Sequence, residues 1–400
     1  MAVYRNSQNT HRPTKTSLTL VIKVGTSSIC DEKTHYPLLG NLSRIVETII
    51  RLKQLGHRVV LVTSAAVGTG LRRLNLDRKP SKLATVQAIA AVGQGRLMSM
   101  YDDLFGQFNQ PVAQILLTRN DLADRSQYLN AVNCLEELLD MGVVPIVNEN
   151  DTISVTEIKF GDNDTLSAIT AGMVKADYLF LMTDVDCLFS DNPRSNPDAR
   201  PITVCHDVEA LRREVKVTSP GSALGTGGMV TKLVAADLAT SAGVTTIIAR
   251  GSTPENIPRI ISDEQNPPLH TRFVAQPKPL VDRMWWILYG LQTQGTIVVD
   301  ANLAQQIADS SSSQKCPVSL FAHSITGVEG NFVEHQAVQV VVEQNANGAK
   351  DIVTIAKGTV NYSSSEIIRM MHAREEDMME SLGYDSGDCI IDQDNIAISV

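Results

Sequence analysis

No run of about 18 consecutive apolar residues occurs in this chain, so no membrane-spanning helix is expected. The six cysteines, Cys30, Cys134, Cys187, Cys205, Cys316 and Cys389, lie far apart and form no C-x-x-C pair. That spacing offers neither a disulfide framework nor a zinc site, and it reads as reduced, mostly buried thiols in a cytoplasmic protein. Aromatic residues are scarce at 4%, too few for a protein that holds single-stranded nucleic acid by stacking. Positive charge is in deficit: the formal net charge is −9, so the whole chain is no nucleic-acid cation. Residues 1–17 carry Arg5, Arg12 and Lys15 but no acid and no apolar core. They lack the pattern of a secretory signal and read as a disordered tail.

What is present is ordinary for a globular protein: 400 residues, 43% hydrophobic and 20% charged, enough for two domains. Apolar runs at Leu18–Val24, Arg58–Thr63, Val112–Thr118, Val143–Val147, Tyr178–Met182 and Thr245–Ala249 read as buried strands. Helical patterns lie between them: Leu39–Leu55, Ser81–Phe108 with a break expected near Gly93-Gln94-Gly95, Ser126–Asp140, a segment through Leu166, Ile169 and Met173, and one from Gly225 to about Ser241. This alternation predicts an α/β fold, a mainly parallel sheet sandwiched by helices, over residues 18–262. A proline-bearing linker is expected over residues 263–294. Short strands from Gly295 onward predict a small β-rich domain over residues 295–400, with a helix over Glu366–Leu382. From residue 290 on, fifteen Asp and Glu face five Lys and Arg, which argues against binding to a phosphate backbone.

The strand ends carry the chemistry. Lys23 lies inside an apolar run that empties into Gly25-Thr26-Ser27-Ser28. Lysine is rarely buried without a partner, so it is either an edge residue that snorkels or a cation aimed at phosphate. Ser64 opens a second small-residue turn, Ser64 to Gly70. Asn148-Glu149-Asn150-Asp151 follows the fourth strand, a hairpin is expected at Thr156–Phe160, and Gly161-Asp162-Asn163-Asp164 opens a helix. N-caps and turns use the same residue types. Two such clusters within twenty residues favour a ligand site at the sheet's carboxyl edge. Thr183-Asp184 ends the fifth strand. Gly225 to Lys232 departs from the P-loop pattern but is a glycine-rich helix start with a lysine one turn in, able to hold phosphate. Two lysines, glycine-rich helix starts and clustered acids suit phosphoryl transfer, which needs positioning and charge neutralisation rather than a covalent nucleophile.

Val21-Ile22-Lys23-Val24-Gly25-Thr26-Ser27, Pro145 to Asp151, Glu157 to Asp164, Asp191-Asn192-Pro193-Arg194 and Gly225 to Lys232 together resemble the amino-acid kinase superfamily, within it the branch that phosphorylates glutamate. Gly295 to Asp300, Ile325-Thr326-Gly327 and Leu382-Gly383-Tyr384 resemble its appended PUA module. The resemblance implies transfer from ATP, with Mg2+, to the γ-carboxylate of L-glutamate as the first step of proline synthesis. It also implies feedback inhibition by proline and a homo-oligomer, a dimer or tetramer. Other acceptors, aspartate or N-acetylglutamate, and a non-catalytic amino-acid or RNA-binding regulator are the competing readings. By the same resemblance Lys23 and Lys232 neutralise the transferring phosphate and Asp162 organises them. Ser64, Asn148, Asp151 and Asn163 hold the amino acid. Lys23, Gly25, Thr183, Asp184, Thr226, Gly227, Gly228, Met229, Val230, Thr231 and Lys232 hold the nucleotide, and no protein metal site is implied. Ala65 and Ala66 depart from the family, in which glycine often follows the serine.

Overall fold

The protein is described from a computed structural model covering residues 17–154, 163–191, 196, 198–208, 210, 211, 228–262, 265–277, 280, 282–309, 316, 318–346, 349–372 and 389–398. Residues 1–16 of the expected tail, the hairpin at Thr156–Phe160, the sites Asp162, Thr226 and Gly227, and most of the expected helix after His372 lie outside these residues. The chain divides into two compact units, Met1–Pro279 and Leu280–Val400. Among the described residues no helix is long and apolar enough to cross a membrane.

The first unit opens with β1 (Thr19–Val24), α1 (Thr26–Ile29), α2 (Leu39–Gln54), β2 (Arg58–Val62), α3 (Ala66–Arg73), α4 (Leu83–Gly106) and β3 (Val112–Leu117). It continues with α5 (Arg119–Ala123), α6 (Arg125–Asp140), β4 (Val144–Glu149), α7 (Asn163–Met173) and β5 (Tyr178–Thr183). A two-stranded ribbon, β6 (Leu188–Phe189) with β7 (Pro201–Ile202), leads to β8 (Val204–Cys205), α8 (Met229–Ser241), β9 (Thr245–Arg250), α9 (Ile257–Ile261) and β10 (Thr271–Phe273). The main sheet has the order β3-β4-β2-β1-β5-β9-β10-β8. Every pairing in it is parallel except β9 with β10. The chain runs outward from β1 on one side, then returns to place β5 on the other. That reversal opens a crevice at the carboxyl ends of the central strands.

Strand alternation decides which side chain meets which helix. Leu20, Ile22 and Val24 of β1 share a core with Leu61, Phe180 and Ile247, covered by Leu42, Ile45, Val46, Ile49 and Leu52 of α2. The α2 residues recur at three- and four-residue spacing, the stripe of a helix lying on a sheet. Lys23, between Ile22 and Val24, therefore projects to the opposite face, where α7 packs against β1 and α8.

Three expectations are corrected. The turn expected at Ser64 to Gly70 is the entry to α3, which begins at Ala66. α4 runs unbroken through Gly93; a Cβ there would sit 1.8 Å from the Ala66 carbonyl oxygen, and one on Gly70 would sit 2.0 Å from that of Ile89. These glycines let α3 and α4 touch backbone to backbone, so Gly93 serves close packing rather than a break. Thr271–Phe273, within the expected linker, is a sheet strand, with Phe273 fully buried.

The second unit is β-rich as expected. β11 (Thr293–Val299), β12 (Ile325–Gly330), β13 (Ala337–Ala346), β14 (Ala349–Thr359) and β15 (Ile396–Ile398) form one sheet in the order β12-β11-β13-β14-β15. Helices Ala301–Asp309 and Ser364–His372 accompany it. Its core gathers Ile297, Val299, Phe332, Val338, Val340, Ile367 and Ile396.

The close helix contact yields a paired test. Gly93→Ala should lower stability by about 3 kcal/mol, since backbone cannot yield as a side chain does. Gly95→Ala, with nothing within 4 Å of the added Cβ, should raise it by up to about 1 kcal/mol through helix propensity. Urea unfolding of both variants measures the difference.

Candidate active site

Three elements deliver three charges to one buried point. Lys23 comes from β1, Asp164 from the first turn of α7, and Lys232 from the first turns of α8. Lys23 Nζ lies 2.6 Å from Asp164 Oδ1, and Lys232 Nζ lies 3.0 Å from Asp164 Oδ2. The lysine side chains are 6% and 8% exposed and the Asp164 side chain 0%. Thr231 reaches the same carboxylate. Its Oγ1 is 2.9 Å from Asp164 Oδ2 and 2.7 Å from the Gly228 carbonyl, and it accepts the Gly228 N–H at 2.9 Å. The start of α8 is thereby tied to Asp164. Burial alone would raise the Asp164 pKa, but the two ammonium groups override it and hold the carboxyl well below the ordinary carboxylate range.

Among the described residues the aspartate that meets both lysines is Asp164; Asp162, expected in that place, lies outside them.

Beside the charge cluster lies a carboxamide network. Asn163 Nδ2 faces the Thr63 carbonyl at 2.7 Å, Ser64 Oγ at 2.9 Å and Asn148 Oδ1 at 2.8 Å. Asn148 is fully buried; its Oδ1 also accepts the Glu149 N–H, and its Nδ2 donates to Gln94 Oε1 of α4 at 2.8 Å. The structure thus brings Ser64, Asn148 and Asn163 together. Asp151 lies three residues beyond Asn148, half-buried in a loop closed by the Ser154 N–H on the Asn150 carbonyl. Gln94 and the loop's second anchor, Gln87, whose Nε2 donates to the Ser154 carbonyl at 3.1 Å, were not anticipated. Single glutamines in a helix carry no periodic signal.

The remaining expected positions ring the same edge. A Cβ on Gly25 would stand 3.6 Å from Lys23 Nζ, so the glycine keeps space open beside that ammonium. Gly228 caps α8, with Met229 half-buried and Val230 exposed. Thr183 ends β5, and with Asp184 just after it lines a cleft of about 610 Å³ together with Ser27, Ser28, Asn41, Arg44 and Arg250. Among the described residues no group of three or more His, Cys, Asp or Glu is placed to hold a metal.

Residues 19–250 match the Amino acid kinase family. The chain belongs to the amino acid kinase family. Residues 295–382 match the PUA domain, so a kinase unit precedes a PUA unit. Curated members are similar over almost their whole length. The probable glutamate 5-kinase of Schizosaccharomyces pombe is 52% identical over 396 residues, covering 97% of this chain and 95% of the relative. The glutamate 5-kinase of Acaryochloris marina is 47% identical, covering 96% of this chain and all of the relative. That of Picosynechococcus sp. is 46% identical, covering 96% and 98%. In this member of the amino acid kinase family, Ala65 after Ser64 has φ 80° and ψ 13°, the left-handed region that glycine occupies without strain.

Two measurements follow from this geometry. The lysine–aspartate–lysine group carries one net positive charge. Removing a lysine leaves a balanced pair, whereas Asp164→Asn leaves two buried cations facing each other. Asp164→Asn should therefore cost about 3–5 kcal/mol of stability, and Lys232→Met clearly less. The Asp164 pKa is depressed below its ordinary 3.8, so its contribution is full above about pH 4 and is lost as pH falls toward the folded-state value. Denaturant titrations from pH 6 down to 2 should show a shallower acid loss in Asp164→Asn than in the wild type. Separately, Ala65→Gly should stabilise by up to about 1 kcal/mol, read as a rise in melting temperature.

Proposed function

We propose that this chain transfers the γ-phosphoryl group of ATP to the γ-carboxylate of L-glutamate, giving L-glutamyl 5-phosphate, the first step of proline synthesis. The observation that carries the reading is the pair of buried lysines on one buried aspartate, set beside a carboxamide pocket. The names of the relatives that match along nearly the whole chain support the choice of acceptor.

The chemistry asks little of the protein beyond charge and position. A γ-carboxylate has an unperturbed pKa of about 4.3 and is already a nucleophile at neutral pH. No general base is needed. A carboxylate oxygen forms a bond to the γ-phosphorus as the bond from that phosphorus to the β–γ bridging oxygen breaks, and ADP leaves with the electron pair. No proton moves. The obstacle is repulsion between two anions, and the surplus positive charge of Lys23, Asp164 and Lys232 offsets it. Gly25 and the start of α8 from Gly228 to Thr231 would cradle phosphate oxygens, while Thr183 and Asp184 would hold the nucleoside. Mg2+ would ride on the nucleotide's phosphates and on water, because both Asp164 oxygens are engaged by lysines. Ser64, Asn148, Asp151 and Asn163 would hold the amino-acid end of glutamate. Proline has the same carboxylate beside a cationic nitrogen, and in this reading it inhibits by occupying the same pocket. A homo-oligomeric, cytoplasmic enzyme completes the proposal.

The test is ADP release with ATP and Mg2+ across glutamate, aspartate, N-acetylglutamate and a nucleoside monophosphate, with and without proline. Glutamate alone should support turnover, hydroxylamine should trap a hydroxamate, and proline should raise the glutamate KM. Turnover with another acceptor in place of glutamate would overturn the reading. Lys23→Ala and Lys232→Ala should each lower kcat by about 10²–10³ while the fold persists by circular dichroism.

A further inference from the structure

We propose that Gln94 is a positioning residue for the acceptor pocket, acting through Asn148 on Asn163; this rests on the assignment of Ser64, Asn148 and Asn163 to the acceptor. Gln94 sits in the middle of α4 and is 8% exposed. Its Oε1 accepts from Asn148 Nδ2 at 2.8 Å. Its Nε2 is buried and has no hydrogen-bond partner among the described residues. A buried donor left unpaired is costly, and an apolar side chain of similar size would avoid that cost while still filling the helix's inner face. What the glutamine supplies is the acceptor on its other atom.

The orientation of each carboxamide is fixed by backbone groups whose roles are unambiguous. The Glu149 N–H can only donate, and it lies 2.9 Å from Asn148 at the atom that must be Oδ1. Asn148 Nδ2 therefore faces Gln94, and the Gln94 atom that meets it must be an acceptor. The Thr63 carbonyl can only accept, so the Asn163 atom 2.7 Å away must be Nδ2. That amino group also meets Asn148 Oδ1 at 2.8 Å and Ser64 Oγ at 2.9 Å. Asn163 Oδ1 is then turned away from all three and stands as an acceptor suited to a substrate ammonium. Were Asn148 to turn over, its amino group would confront two donors, Glu149 N–H and Asn163 Nδ2. Gln94 Oε1 adds the attraction that holds Asn148 the right way round. The sequence Gln94, Asn148, Asn163 thus runs from α4, which contributes no charge to the cluster, to the residue immediately before Asp164.

The experiment is steady-state kinetics on the full chain for Gln94→Leu, Gln94→Met, Gln94→Glu, Asn148→Ala and Gln94→Leu combined with Asn148→Ala, with glutamate and ATP varied separately. Loss of the acceptor in Gln94→Leu should raise the glutamate KM about tenfold, the effect of one such hydrogen bond, with kcat and the ATP KM within about threefold. Gln94→Glu keeps an oxygen toward Asn148 and should hold the glutamate KM within about threefold of wild type. In the Asn148→Ala background, Gln94→Leu should add nothing further, because its effect passes through Asn148. Gln94→Met replaces Gln94→Leu in every comparison if the leucine variant does not fold. An unchanged glutamate KM with a lowered melting temperature would overturn the proposal, as would a full additional effect in the Asn148→Ala background. A wild-type enzyme without glutamate-dependent ADP release would instead overturn the acceptor assignment itself.

Discussion

Two ammonium groups held on one buried carboxylate are the constraint on which the catalytic unit depends. Each contact, at 2.6 and 3.0 Å, is attractive by several kcal/mol even at an effective dielectric constant of about 20. Desolvation of three ions and mutual repulsion of the lysines oppose it. The group closes only if a strand, the first turn of one helix and the start of another meet at one point. β1 must end with its alternation in the phase that turns Lys23 toward α7. α7 must begin at Asn163, so that Asp164 falls in its first turn, and α8 must begin near Gly228 for Lys232 to arrive from the far side. The parallel sheet makes this meeting possible, because every strand of its centre ends at the same edge.

Much of this was legible in the residues. Strands buried on both faces appear as continuous apolar runs, and six such runs separated by helical patterns leave few topologies. Lys23 stood out because a lysine inside such a run requires a partner. Lys232 stood out because glycines and small residues lead into its helix. The partner was harder to find. Asp162 and Asp164 are two residues apart, and both read as acids at a helix start. Which one faces the lysines depends on where the first turn begins, a matter of one or two residues that capping chemistry does not decide. Gly93 shows the same limit. A glycine pair inside a helical pattern signals a break locally, and only the approach of α3 reveals that Gly93 is there for contact. Thr271–Phe273 is too short, and too near prolines, for its β character to register against the surroundings.

Ala65 illustrates how a departure in sequence becomes a physical statement. The turn from β2 into α3 needs a left-handed residue directly after Ser64, and this chain meets that need with a residue carrying a Cβ. The strain is tolerated because the chain is anchored before the turn and at Ala65 itself. Thr63 is fully buried and bonded to Tyr101 at 2.9 Å, while the Ala65 carbonyl accepts from the Thr69 N–H. Local strain at a site persists where the surrounding structure over-determines it, and here it fixes where Ser64 presents its hydroxyl to Asn163.

The final consequence lies in the adjacency of Asn163 and Asp164. Successive residues at the start of a helix project about 100° apart, so one turn can serve two chemical compartments. Asn163 belongs to the carboxamide network with Ser64 and Asn148, and Asp164 to the lysines. The two cannot move independently, because a shift of the first turn of α7 that moves one carries the other. Anything that pulls on Asn163 therefore changes the distances between Asp164 and its two cations. An acceptor bound at the carboxamides would act on the charge cluster through a rigid backbone link of one residue. In the proposed reading the same link would transmit occupancy of that pocket by a non-reacting ligand, because the pocket meets the charge cluster at the first turn of α7.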